Sequence, residues 1–202
     1  MKSSPNPARP GRPRAFDADL ALEAAMRVFW RKGFEGTSLS DLTQAMGINR
    51  PSLYAAFGNK EALFRQVMDR YGRGPAAHME DALKAPTARA VAEALLHGTV
   101  DLLIDRTHPP GCLGVNGILV GGDGTEILCQ DMAARQVQVF SALKNRLARA
   151  KKEGDLPESA QPATLARFLC TVTQGLSVQA TRGVGERDLR QVADLALQAW
   201  PG

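Results

Sequence analysis

Apolar residues recur at three- and four-residue spacing along most of the chain, and no stretch of useful length alternates apolar with polar. A side chain that returns to one face every 3.6 residues belongs to a helix, whereas a half-buried strand needs a period of two. That periodicity restricts the chain to an all-α fold, punctuated by glycine and proline into about nine helices. Asp17 can cap a first helix whose Ala21, Ala25, Val28 and Phe29 share a face, ended by Gly33 and Gly36. Ser38 opens the second, with Asp41 three residues on as a variant capping box and Leu39, Leu42 and Met46 as its stripe.

The stretch "GINRPSLYAAFGNKEALF" (47–64) then holds a very short helix. Gly47 breaks the second helix, Asn49 caps the third, and Pro51 falls in its first turn, where a missing N–H costs nothing. Leu53 and Phe57, four apart, face inward with Ile48 just outside, leaving Asn49, Arg50, Pro51, Ser52, Tyr54 and Ala55 for the opposite side. Asn59 or Lys60 begins a fourth helix, which "GRGP" (72–75) interrupts before a second segment running to Leu83. Further helices are expected near 87–106, 111–120, 125–153, 162–182 and 186–199.

Charge divides the chain unevenly. Residues 1–60 hold nine Lys/Arg against five Asp/Glu, while residues 61–202 hold sixteen of each. A basic end joined to a neutral remainder suits a polyanion, or is a solubilising tail. Residues 1–16, with four prolines and no acid, read as a disordered basic arm. Within it "ARPGRPR" (8–14) places Arg12 and Arg14 among Pro and Gly, as in an extended minor-groove arm or a solvated tail. No apolar run reaches the roughly 18–20 residues of a membrane span, and the N-terminus carries no hydrophobic signal, so a cytoplasmic protein is expected.

Two short helices joined by the tight "MGIN" turn form a helix-turn-helix, or else an αα-hairpin whose polar face meets water. Duplex DNA accepts one helix in its major groove, so a reading helix must be short, exposed and held from behind. Residues 21–68 decide between the two. Phe29, Gly33-Phe34, Thr37-Ser38-Leu39, Asp41-Leu42, Ala45, Gly47-Ile48, Arg50-x-Ser52-Leu53-Tyr54, Phe57 and Asn59-Lys60-Glu61-Ala62-Leu63 resemble the N-terminal domain of the tetracycline-repressor (TetR) family.

The resemblance implies a homodimeric regulator that binds a double-stranded DNA operator through residues 17–62 and a small-molecule effector through residues 63–202. It places Thr37 and Ser38 on a phosphate at a helix N-terminus, Arg50 on a base edge or phosphate, and Tyr54 and Lys60 on the backbone. Ala55-Ala56 depart from the commoner polar pattern and offer a small apolar surface to a thymine methyl. The helix pair at the C-terminus carries apolar stripes, Leu165, Phe168, Leu169, Val172 and Leu176 on one and Val192 and Leu195 on the other, that the resemblance assigns to a dimer interface. The effector pocket is expected among Leu95, Leu103, Cys112, Val115, Asn116, Leu119 and Phe140. Cys112, following "HPPG" and four residues after His108, is a buried small hydrophobe or a thiol sensor of electrophiles and oxidants. An architectural DNA binder without an effector is the remaining alternative. No cofactor is expected, and the scattered histidines, the absence of a Gly-x-Ser-x-Gly or Walker motif and the lack of paired carboxylates argue against an enzyme.

Overall fold

A computed structural model describes residues 16–116 and 126–201. Among these residues the regular structure is entirely helical, with ten α-helices. They are α1 (Ala18–Lys32), α2 (Leu39–Met46), α3 (Arg50–Phe57), α4 (Lys60–Arg73), α5 (His78–Ala82), α6 (Ala88–Ile104), α7 (Leu113–Asn116), α8 (Glu126–Lys152), α9 (Pro162–Thr181) and α10 (Glu186–Gln198). The expected count of about nine rises to ten because Gly74 and Pro75 separate α5 from α4 outright. Of the expected 111–120 helix, four residues form α7, and residues 117–125 lie outside the description.

Side-chain caps start five of these helices. Asp17 accepts the amides of Asp19 and Leu20, Asn49 that of Ser52, Asn59 that of Ala62, and Thr87 that of Ala90. Each side-chain oxygen satisfies an orphan donor of a first turn, worth about 1 kcal/mol. At α2 the box is reciprocal: Ser38 Oγ accepts the Asp41 amide at 3.1 Å, and Asp41 Oδ2 accepts the Ser38 amide at 3.0 Å. Lys32 Nζ also donates to Asp41, at 2.7 Å. Asp41 is therefore held down to about 2, first by Lys32 and then by Ser38.

Two apolar cores result. The first gathers α1 to α4 around Phe29, Trp30, Leu42, Leu53 and Phe64, and it also takes Leu113 of α7 and Leu128 and Met132 of α8. The second is built by α5, α6, the C-terminal half of α8, α9 and α10. In it α6 packs between α9 and α10, and α8 lies along α9. The turn between α5 and α6 is fastened from across the bundle. Arg146 of α8, 7% exposed, donates to the carbonyls of Leu83, Ala85 and Pro86 at 3.2, 2.7 and 3.1 Å. A buried guanidinium is answered here by backbone oxygens at a helix C-terminus instead of by a carboxylate.

Removing that guanidinium strands three carbonyls, so Arg146→Ala is expected to cost about 2–4 kcal/mol in urea denaturation, with Arg146→Lys recovering only part. For the α2 cap the sign follows from the depressed pKa: its stabilisation is complete above roughly pH 4 and is lost as pH falls through about 2. Asp41→Asn should therefore melt below the parent protein at pH 7, and the difference should close as pH approaches 2.

Candidate nucleic-acid interface and the cavity behind it

The turn between α2 and α3 needs a left-handed residue, and Gly47 supplies it at φ 67°, ψ 26°. Asn49 then caps α3, with Pro51 in the first turn. Leu53 is fully buried and Phe57 nearly so, fixing which side of α3 faces the core. Asn49, Arg50, Pro51, Tyr54, Ala55 and Ala56 stand exposed on the other side, and Ser52 is half-buried. Tyr54 is 49% exposed. Arg50 is not free-swinging, because its Nη2 donates to Ser40 Oγ of α2 at 3.2 Å. Lys60, in the first turn of α4, lies with Nζ 4.2 Å from the Phe34 ring centroid. Burial lowers its pKa, against the opposing pull of Glu35 and Glu61.

Two expected phosphate contacts require correction. Thr37 is 1% exposed and its hydroxyl donates to Gly33 O at 2.6 Å, so it closes the α1–α2 turn and offers nothing to DNA. Ser38 is exposed, but both its amide and its hydroxyl turn to Asp41, at 3.0 and 2.9 Å. An anion already sits at this helix end, leaving the first-turn amides of Leu39 and Ser40 as its outward donors. Arg12 and Arg14 lie outside the described residues.

Behind this domain a cavity of about 630 Å³ opens where α4 and α5 face α6 to α9. Its apolar wall comes from Met68, Met79, Leu102, Leu103, Val115 and Met132. Its polar wall comes from His78, Thr99, Thr173 and Ser177. The expected Leu103, Cys112 and Val115 do line it. Leu95 does not: it is 5% exposed and belongs to the second core, one turn of α6 removed from the Thr99–Leu103 face that lines the cavity. Phe140 is also outside, half-buried with the Arg167 guanidinium 4.0 Å from its centroid. Leu119 and the Asn116 side chain lie outside the description. The contribution of α9 was missed, although Thr173 and Ser177, four apart inside an apolar stripe, are the kind of polar pair that signals a cavity.

Cys112 sits on the cavity wall just before α7, and Tyr71 Oη donates to its Sγ at 3.0 Å. Burial, then the neighbouring thiol, pushes the Tyr71 hydroxyl far above its ordinary value. His108 is engaged elsewhere. Its ring stacks on Trp30 with centroids 5.2 Å apart, and its Nε2 lies 3.6 Å from Asp105 Oδ2.

On the outer face of α9 and α10 the exposed apolar residues are Val178, Val192 and Leu195. Leu169 and Leu176, expected at a dimer interface, are 0% and 2% exposed and pack inside the subunit against α6 and α8, a further correction. Leu165, Phe168 and Val172 are half-buried against the same core. A Cβ placed on Gly175 would meet nothing within 4 Å, so this face of α9 is flat and open. Among the described residues no cluster of His, Cys, Asp and Glu can hold a metal, and no helix is long and apolar enough to cross a membrane.

Comparison with known proteins agrees with this geometry. Residues 21–67 match the model of the bacterial regulatory proteins of the tetR family. The HTH-type transcriptional repressor ComR of Escherichia coli (strain K12) is 34% identical over 194 residues, covering 95% of this chain and 92% of that protein. The repressor BdcR of the same organism is 34% identical over 192 residues, covering 94% and 92%. Among solved structures, a cysteine-substituted TetR family regulator CifR, complexed with 26 bp double-strand operator DNA, superposes with a TM-score of 0.89 at 42% identity. That match covers 94% of this chain and all of that one. With a backed, exposed α3 and homologous regulators matched over nearly its whole length, the chain belongs to the TetR family of transcriptional regulators.

Proposed function

We propose that the protein is a ligand-responsive repressor: a homodimer that occupies an inverted-repeat operator and releases it when a small molecule fills the cavity. The observation that carries this reading is α4. Its first turns belong to the core that backs α3, and its last turns, through Met68 and Tyr71, form the cavity wall. One rigid helix thus touches both sites. Occupying the cavity displaces α4, and displacing α4 moves α3.

Ion pairs define the position from which α4 moves. Arg65 Nε meets Asp131 Oδ2 of α8 at 2.6 Å, and one turn on, Arg135 Nη2 of α8 meets Asp69 Oδ1 at 2.6 Å. On its other side Arg70 pairs with Glu23 of α1 at 3.0 Å. Asp69 and Arg135 line the cavity, so an occupant meets one rung of this ladder directly. A repressor reading also follows ComR and BdcR, and operator binding follows CifR.

In this reading residues 17–62 read DNA, residues 63–202 hold the ligand and the partner subunit, and the basic arm 1–16 lends Arg12 and Arg14 to the duplex. Asn49, Arg50, Pro51, Ser52, Tyr54 and Ala55 form the groove face, and Lys60 approaches the backbone from the start of α4. The two copies associate through Val178, Val192 and Leu195 of α9 and α10. Two-fold symmetry then sets the reading helices one helical turn of DNA apart, roughly 34–36 Å. Such a regulator works in the cytoplasm and needs no catalytic group.

Selection of bound DNA from the region upstream of the gene, followed by a gel shift at two salt concentrations, tests the reading; recovery of no inverted repeat ends it. Tyr54→Phe removes a hydroxyl that bonds no described residue, so stability should stay within about 0.5 kcal/mol. Operator affinity should fall about equally for preferred and altered sequences, as for a backbone contact. Asp131→Asn should lower operator affinity about two- to fivefold, the range of an exposed ion pair, and adding Arg65→Gln should lower it no further. Additive losses would mean that the pair does not act as a unit.

A further inference from the structure

The polar wall of the cavity is one-sided. Thr99 Oγ1 donates to Leu95 O at 2.7 Å, Ser177 Oγ to Thr173 O at 2.8 Å, and Thr173 Oγ1 to Cys170 O at 3.0 Å. Each hydroxyl has one hydrogen, and each has given it to a carbonyl of its own helix. All three residues are at most 9% exposed, so bulk water does not solvate what remains. What remains is oxygen lone pairs. Thr99 Oγ1 also lies 3.3 Å from His78 Nε2, and this contact joins the two groups whichever ring nitrogen carries the hydrogen. The oxygens of Thr173 and Ser177, one turn apart on α9, are acceptors to which no described residue donates.

The cavity is also electrically balanced. Among the described residues its ionised lining is Asp69, Glu80, Arg73 and Arg135, two of each sign, and Asp69 and Arg135 are already paired at 2.6 Å. Glu80 and Arg73 are exposed, at the mouth. Burial lowers the pKa of His78 and raises that of Cys170, which keeps both groups neutral at pH 7. Gln136, Gln138 and Gln174, toward the mouth, can adapt to either a donor or an acceptor. A charged occupant seated against Thr173 and Ser177 would lose its hydration there, because outside the Asp69–Arg135 pair the described charges of the lining are the exposed Arg73 and Glu80.

We infer that the cavity takes an uncharged, largely apolar molecule carrying a hydroxyl group, whose hydrogen is accepted by the oxygens of Thr173 and Ser177. This rests on the ligand-responsive reading above and adds the class of the effector. The apolar wall sets the body of the ligand: three methionines, flexible and polarizable, accommodate chains of varied shape better than a rigid slot would.

Four probes that share one flexible chain separate the possibilities: 1-decanol, decyl methyl ether, decanoate and decylammonium. Each is titrated into the full-length protein with thermal melting and operator release as readouts. Decanol should bind about tenfold more tightly than the ether, the worth of one hydrogen bond, and on the order of 100-fold more tightly than either ion. Ser177→Ala with Thr173→Val should bring decanol to the level of the ether and leave the ether unchanged, with a parental circular-dichroism spectrum as the control for folding. Equal binding of alcohol and ether, tighter binding of either ion, or no binding of any probe overturns the inference. Operator release by decanoate or decylammonium would overturn it while leaving ligand-responsive repression standing, whereas failure to bind any operator would remove that underlying reading itself.

Discussion

Phe64 of α4 meets Phe29 of α1 edge-on at 5.0 Å and Phe34 at 5.3 Å, and α3 is oriented by burying Leu53 and Phe57 in the core these rings build. A helix of eight residues is too short to persist by its own hydrogen bonds. It exists because Leu53 and Phe57 have a hydrophobic floor to press on, the apolar core that also holds these aromatic rings. Lys60 closes its edge by resting on the outer face of Phe34. The same aromatic residues join α1 to α4, so the floor cannot shift without moving the helix that reaches the cavity.

The cavity is tied to the DNA-binding core along a second line as well. The loop before α7 is fastened to α1, with Arg27 Nη1 donating to Thr107 O at 2.7 Å and Trp30 Nε1 to Gly111 O at 3.1 Å. Trp30 also stands edge-on to Tyr71, 4.9 Å away, and Tyr71 bonds Cys112 on the cavity wall. A molecule that presses on Tyr71 thus pushes both on α4 and, through Trp30, on α1. The network is mostly neutral and well packed, so it transmits displacement by contact and is less sensitive to salt than the ion pairs of α4 and α8.

How much of this was legible in the sequence depended on how local each cause was. Asn49, Pro51 and Gly47 act within four residues of themselves, and the end of α2 and the start of α3 were readable from them. The Ser38–Asp41 box was readable for the same reason, yet its consequence was not. A side chain that completes a cap is no longer free to hold a phosphate, and spacing does not reveal which use prevails. Leu169 and Leu176 lie on an apolar stripe that is real. Periodicity shows that such a stripe is buried without showing by what, and here α6 and α8 of the same subunit do the burying. Leu95 and Phe140 failed as cavity residues because the direction of a face around a long helix is set by its neighbours, not by its own sequence. Thr173 and Ser177 went unread because the pattern treats a polar residue in an apolar stripe as a flaw. Their hydroxyls are compatible with burial only because each bonds its own helix.

The energies set how strong the coupling between cavity and DNA has to be. The ion pairs that hold α4 are part-exposed and worth about 0.2–1 kcal/mol each, so neither position of the helix is deeply favoured. A switch with so shallow a bias needs only about 1–3 kcal/mol of coupling to change operator affinity by roughly 5- to 150-fold. A ligand supplies that coupling only through contacts it makes better in one position of α4 than in the other. Binding to the wall of α6 and α9 sets affinity, because those helices are held in the second core. Contact with Met68, Tyr71 and the Asp69–Arg135 rung sets response. A molecule seated on Thr173 and Ser177 but too short to reach α4 would therefore bind without releasing DNA, and lengthening its apolar body at constant polarity would turn a silent binder into an inducer.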